Sequence, residues 1–228
     1  MKRIFILFSI IGLWTTSSFA NTTINDKYFQ LSEPQVELIS VETLTNYVEK
    51  RESNSCLKVR DEKQAKEFDL NQLINIGKEI WQIVKDGEPT LDFKDQSATA
   101  FPADAECLFN LSSWSVPVSH TYKISYKNGF GMEVISMKYK LIYTPGGQFN
   151  GRGRYLANVS IHPAAIYVGW GFSFDAQVHI QDILNVGSAE SPDAGMQVAL
   201  EWKVGSVVNK HQAQEVYFVQ GSGPMTIL

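Results

Sequence analysis

Cysteine is nearly absent from this chain of 228 residues, which holds only Cys56 and Cys107. Two thiols cannot supply a four-sulfur zinc cage or the dense disulfide framework of a small secreted scaffold. Neither has the basic or histidine-rich surroundings that would activate a nucleophile. Histidine is scarce too. His120, His162, His179 and His211 stand apart, and no two share the spacing of a zinc-binding motif. Positive charge is in deficit: 20 Lys and Arg face 24 Asp and Glu, a net charge of −4. That balance argues against nucleic acid or an anionic surface as a general partner. Missing as well are a Gly-Lys-Ser/Thr phosphate loop and an Asp-rich calcium loop. Ser222, in Gly221-Ser222-Gly223-Pro224, lacks the strand–elbow–helix setting of a nucleophilic serine. The sequence therefore names no catalytic or metal-binding group and no cofactor, and it leans away from an enzyme. A hydrolase whose carboxylates meet only in space ranks third among the functional readings.

One long apolar run is present, and it lies at the start. Met1-Lys2-Arg3 brings two cations, Ile4 to Trp14 is almost wholly apolar, and Ser18-x-Ala20 offers the small residues a signal peptidase reads. The run is about half of the ~20 residues needed to cross a bilayer. Residues 1–20 are thus expected to be a secretory signal peptide, with the working protein in the periplasm or the medium. Its removal leaves 208 residues, takes Lys2 and Arg3 away and shifts the net charge to −6. No transmembrane segment follows. In an oxidising compartment Cys56 and Cys107 are expected to pair. Closing a loop of roughly 50 residues would stabilise the fold by ~4 kcal/mol on the chain-entropy argument.

Residues 21–68 read as an N-terminal extension of mixed structure, and residues 69–228 as a domain. Its first element is expected to be an amphipathic helix over Asp69 to Lys85. Leu70, Leu73, Ile74, Gly77, Ile80, Trp81 and Val84 recur at three- and four-residue spacing, Asp69 can cap the start, and Gly87 and Pro89 end it. From Thr90 onward the period becomes two. His120 to Lys127 and Met132 to Tyr143 alternate around Asn128-Gly129, a hairpin signal. Thr144 to Gly147 reads as a turn. A strand from Tyr155 stops at Pro163. Ile166 to Ile180 alternates over fifteen residues, long for one strand, so Gly169 and Gly171 are expected to bend it between two sheets. Further strands cover Met196 to Val204 and Gln214 to Gln220. Strands joined by short turns give an antiparallel sheet. The expected fold is mainly β, an antiparallel β-sandwich of about seven strands preceded by one amphipathic helix.

Four residues stand out as candidate contacts. Gly146-Gly147-Gln148-Phe149-Asn150-Gly151-Arg152-Gly153-Arg154 could form an anion nest around Arg152 and Arg154, although glycines between strands are more often turn and bulge residues. Trp81, on the apolar stripe of the expected helix, could touch a ligand or a membrane. Tyr167 falls on the polar side of its strand. Trp114, Tyr126, Tyr139, Tyr143, Trp170 and Trp202 are better read as core, and no clustered aromatic patch can be identified.

The stretch Leu73-Ile74-Asn75-Ile76-Gly77-Lys78-Glu79-Ile80-Trp81 is one anchor of a resemblance. Gly151-x-Gly153-Arg154-Tyr155-Leu156, Val159-x-Ile161-x-Pro163 and Val168-x-Trp170-Gly171-Phe172 form the other. Together, over about Asp69 to Gly223, they resemble a group of uncharacterised exported proteins of Gram-negative bacteria. The resemblance implies an envelope or secreted protein, and it brings no activity and no functional residue. The helix-then-sandwich order is also similar, in outline only, to actinoporin-like pore formers. The leading expectation is an exported binding or interaction module with a protein, glycan or membrane partner. The alternative is a membrane-associated or pore-forming-like protein acting through helix 69–85.

Overall fold

Among the described residues, alternation of apolar and polar positions becomes thirteen strands. The computed structural model describes residues 26–45, 73–90, 96–105 and 108–228. In chain order the strands are β1 (Gln35–Thr43), β2 (Leu73–Gly77), β3 (Ile80–Lys85), β4 (Glu88–Pro89), β5 (Ala98–Pro102), β6 (Leu111–Ser112) and β7 (Val118–Lys127). There follow β8 (Glu133–Phe149), β9 (Arg152–Val168), β10 (Ser173–Asn185), β11 (Ala194–Gly205), β12 (Lys210–Gln220) and β13 (Met225–Ile227). One helical turn covers residues 26–29. A first sheet runs β1-β7-β8-β9-β5-β2, with β6 beside β8, and a second runs β13-β12-β11-β10-β3-β4. Every pairing within the two sheets is antiparallel. The architecture is a β-sandwich.

The core lies between the sheets because each long strand turns its apolar side inward. Tyr122, Ile124 and Tyr126 of β7 pair with Tyr139, Met137 and Ile135 of β8, and all six are buried. Phe174, Ala176 and Val178 of β10 pair with Val204, Trp202 and Leu200 of β11, also buried. Aromatic contacts join the layers. The Trp202 indole N–H donates to the Tyr126 hydroxyl at 2.8 Å, and the Tyr139 and Tyr217 hydroxyls meet at 2.5 Å. Burying the phenols of Tyr126, Tyr139, Tyr143 and Tyr217 is tolerable because their hydroxyls find partners.

The expected helix over 69–85 is not formed. Residues 69–72 lie outside the described part, Leu73–Gly77 is β2 and Ile80–Lys85 is β3. The two strands belong to different sheets: β2 pairs with β5 and β3 with β10. Apolar spacing of four residues satisfies a helix and a strand alike, so the stripe was ambiguous. Composition tips the balance. Ile74, Ile76, Ile80, Ile83 and Val84 are β-branched and favour pleated backbone. Gly77, in the middle, has φ +137° and faces the Ser97 carbonyl, where a Cβ would collide.

Other boundaries move for local reasons. β8 continues through Pro145, Gly146 and Gly147, where a turn was expected, with register shifts that absorb the irregular residues. β9 passes Pro163 because the register shifts beside it, Lys138 facing Ala165 and Tyr139 facing Pro163. The fifteen-residue alternation is broken at Gly169–Phe172, which carries the chain from β9 in the first sheet to β10 in the second. The bend and the change of sheet thus fall at the glycines that were expected to allow them. Part of the N-terminal extension is built into the sandwich, since β1 pairs along β7. Residues 1–20, expected to be a signal peptide, and Cys56 and Cys107, expected to pair, lie outside the described residues.

Candidate functional site

The strand directions place two hairpin loops, one loop that crosses between the sheets and the N-terminal turn at one end of the sandwich. These are Asn128–Met132 between β7 and β8, Gly169–Phe172 between β9 and β10, and Ser206–Asn209 between β11 and β12. The turn at 26–29 packs among them. Gly129 N–H donates to the Lys27 carbonyl, and the Ser206 hydroxyl donates to the Phe29 carbonyl at 2.6 Å. The Phe29 ring lies against Gly171, whose φ of +79° suits glycine. Around it gather Tyr28, Trp170 and Phe172, with ring centroids 5.0 to 6.0 Å from that of Phe29 or, for Tyr28 and Phe172, 5.7 Å apart. Lys27 Nζ sits 5.1 Å from the Phe130 ring centre, within cation–π range.

This end exposes a concentration of large apolar side chains. Trp170 is 81% exposed, Val207 78%, and Val208, Met132 and Phe130 about half. Side-chain-to-backbone hydrogen bonds brace two of the loops that hold them out. The Asn128 side-chain oxygen accepts the N–H groups of Phe130 and Met132 at 3.0 and 3.1 Å. The Ser206 hydroxyl accepts those of Val208 and Asn209 at 3.1 and 3.0 Å. These bonds tie the backbone of the two loops down and leave the apolar side chains facing outward. Exposed apolar surface grouped in this way marks a contact site more than scattered single residues do.

Sequence reasoning missed this patch. Trp170 continues the inward alternation of Phe172, Phe174 and Ala176, and so reads as core. The register ends at Val168, and the turn that follows sends Trp170 outward. Phe29, Phe130 and Val207 lie far apart in sequence and meet only through topology. One signal was available: apolar residues beside Asn128-Gly129 and in Val207-Val208-Asn209 occupy turns, where polar residues are the rule.

Among the residues singled out beforehand, Tyr167 alone lies beside this patch. It is 55% exposed, on the outer face of β9 next to Gly169. Trp81 is on the inner face of β3 at 4% exposure, packed in the core. Arg152 and Arg154 are at the opposite end of the sandwich. Arg154 forms an ion pair with Asp193 at 3.1 Å, and Asp193 in turn accepts the Ser222 N–H at 2.9 Å. The glycine-rich stretch serves as bulge and turn, with Gly146, Gly151 and Gly153 at positive φ and the Gly146 N–H given to Gly221. The structure does not bring Trp81, Tyr167 and the two arginines together.

A second hollow, of about 250 Å³, lies on the outer face of the second sheet between Gln82, Lys85, Asp175, Gln177, Glu201 and Lys203. Its polar groups hold each other. Gln177 donates to Glu201 at 3.1 Å, His179 lies 3.5 Å from the same carboxylate, and Asp175 accepts the Asp86 N–H at 2.9 Å. Among the described residues no three of His, Cys, Asp and Glu are grouped as metal ligands, and no helix is long and apolar enough to cross a membrane. Comparison with protein families, with characterised proteins and with solved structures returned no match.

Proposed function

We propose that this protein is an exported binding module that meets a component of the cell envelope or its surroundings through the aromatic end of the sandwich. One observation carries the reading: three neighbouring loops and the N-terminal turn converge to expose Trp170, Val207, Val208, Phe130 and Met132 on one end. Burying a large side chain of this kind is worth ~1.5–3 kcal/mol, so a handful of them supplies useful affinity. The signal peptide expected in residues 1–20 brings the module to that compartment. An enzymatic reading gains no support from this end, where the exposed groups are hydrocarbon and indole.

The reading is tested by sedimentation with washed envelope fractions, membranes and cell-wall sacculi separately. The native protein is expected in the pellet of one fraction. A Trp170→Ala/Val207→Ala double variant is expected to lose at least about tenfold in binding, given two exposed anchors removed. Equal sedimentation of both proteins, or none of either, overturns the assignment of the aromatic end as the contact surface.

A further inference from the structure

We infer that the partner of the aromatic end is the lipid bilayer itself, so that the protein rests on a membrane surface by inserting its loop tips. This deepens the binding reading above and rests on it. The shape of the patch is the first argument. Its most exposed residues, Trp170 and Val207, are at 81% and 78%, which makes them projections and not the walls of a groove. A protein partner needs a complementary surface with a packed, desolvated centre. A bilayer interface is fluid and closes around a projection of any shape.

Chemistry is the second argument. Tryptophan and tyrosine settle at the membrane–water boundary, where the ring is sheltered and the polar edge stays wet. Here Trp170 leads, Val207, Val208, Met132 and Phe130 accompany it, and Tyr167 stands on the shoulder with its phenol exposed. Lys27, Lys127 and Lys210 border the patch, and their long stems suit a place beside headgroups. Asp26 precedes Lys27, Glu33 follows Ser32, whose N–H donates to the Lys127 carbonyl, and the chain as a whole is acidic. Attachment therefore depends on apolar insertion and only weakly on headgroup charge.

Connectivity is the third. The described chain enters the fold at Asp26, within the turn that forms part of this end. The one long apolar run of the sequence, Ile4 to Trp14, is joined to that turn by residues 15–25. Before the expected cleavage after Ala20, while that run lies in a membrane, this short link keeps the aromatic end within reach of the bilayer.

The insertion is peripheral. The loops are short, the backbone N–H groups of Phe130, Met132, Val208 and Asn209 are bonded within them, and only side chains leave the sheet end. Such a foot reaches the headgroup and upper acyl region without exposing unpaired backbone to hydrocarbon.

The test is flotation of the exported protein with vesicles of phosphatidylethanolamine and phosphatidylglycerol, and with vesicles of phosphatidylcholine alone. The native protein is expected to float with both, in low and high salt, with a blue shift of tryptophan fluorescence. Trp170→Phe is expected to float with most of that shift lost, because Trp81 and Trp202 are already buried and Trp114, half-buried, packs against Gly147 away from the aromatic end. Val207→Glu/Val208→Glu is expected to fall at least about tenfold in vesicle binding, with an unchanged circular dichroism spectrum. Failure of the native protein to float overturns the lipid assignment. So does flotation that the paired glutamates leave unchanged, or flotation abolished by salt. If vesicles fail while envelope fractions are still bound in a Trp170-dependent way, the lipid assignment falls and the binding module stands.

Discussion

At the scale of single residues, the core is unusual for its phenols. Tyr122, Tyr126, Tyr139, Tyr143, Tyr155 and Tyr217 are all buried. Tyr139 and Tyr217 share one hydrogen bond across the layers, and Tyr122 packs against both, with ring centroids 5.6 and 5.2 Å away. A buried donor or acceptor left alone costs more than a matched pair removed together. Tyr217→Phe or Tyr139→Phe alone is therefore expected to lower stability by about 1–3 kcal/mol, and the double variant by less than the sum of the two. Chemical denaturation of the four proteins measures the coupling, and strict additivity would refute the pair. Burial also holds these hydroxyls in the neutral form, pushing Tyr143 up to about 12 and Tyr139 and Tyr217 well above the usual tyrosine range. A raised acid contributes stability below the unfolded phenol's pKa of about 10 and loses it as pH climbs through the folded value. Alkaline unfolding is thus expected to begin above pH ~10, whereas the double Tyr→Phe variant removes that share of the pH dependence.

At the scale of elements, alternation was read well and its terminators were not. The inward faces of β7, β8, β10 and β11 follow directly from Tyr122-x-Ile124-x-Tyr126, Ile135 to Tyr143, Phe174 to Val178 and Met196 to Val204. Two errors, the helix over 69–85 and the inward placing of Trp170, share one cause. The residues 73–85 and the residues 166–180 both contain glycines at which the chain leaves one sheet for the other. Period alone cannot say whether an apolar pattern continues past such a glycine, because the partner strands that decide it are distant in sequence. β5 and β10 made β2 and β3 strands, and the end of the β8–β9 ladder at Val168 turned Trp170 outward. Gly77 is the sharpest test. Its φ of +137° is strained for any side chain, and a Cβ there would strike the Ser97 carbonyl. Gly77→Ala is expected to destabilise by about 1–3 kcal/mol, where a helix would have gained from alanine. A rise in Tm would restore the helical reading.

At the scale of the whole molecule, the two ends of the sandwich are closed by different chemistry, and this separates stability from contact. The end holding the β8–β9 and β12–β13 turns is tied by polar links. Arg154 grips the buried carboxylate of Asp193, which also holds the Ser222 N–H, and Gly221 bonds both Ala194 and Gly146. These links join strands of both sheets, so they bear on the global fold. The other end is closed by Phe29 inserted among Trp170, Phe172 and Gly171, and by one hydroxyl contact from Ser206. Those contacts order three loops and touch few ladder hydrogen bonds, so they belong to the range of local opening. Arg154→Ala strands a buried carboxylate and is expected to cost roughly 1–3 kcal/mol, a drop of several degrees in Tm, with vesicle binding per folded molecule unchanged. Phe29→Ala is expected to do the reverse. Amide exchange should rise about tenfold at residues 169–172 and 206–209, vesicle binding should weaken, and Tm should move less than for Arg154→Ala. Exchange measured by mass spectrometry on both variants decides the matter. If Arg154→Ala opens the aromatic loops as much as Phe29→Ala does, the ends are one cooperative unit. The loops would then owe their presentation to the whole sandwich and not to the N-terminal turn.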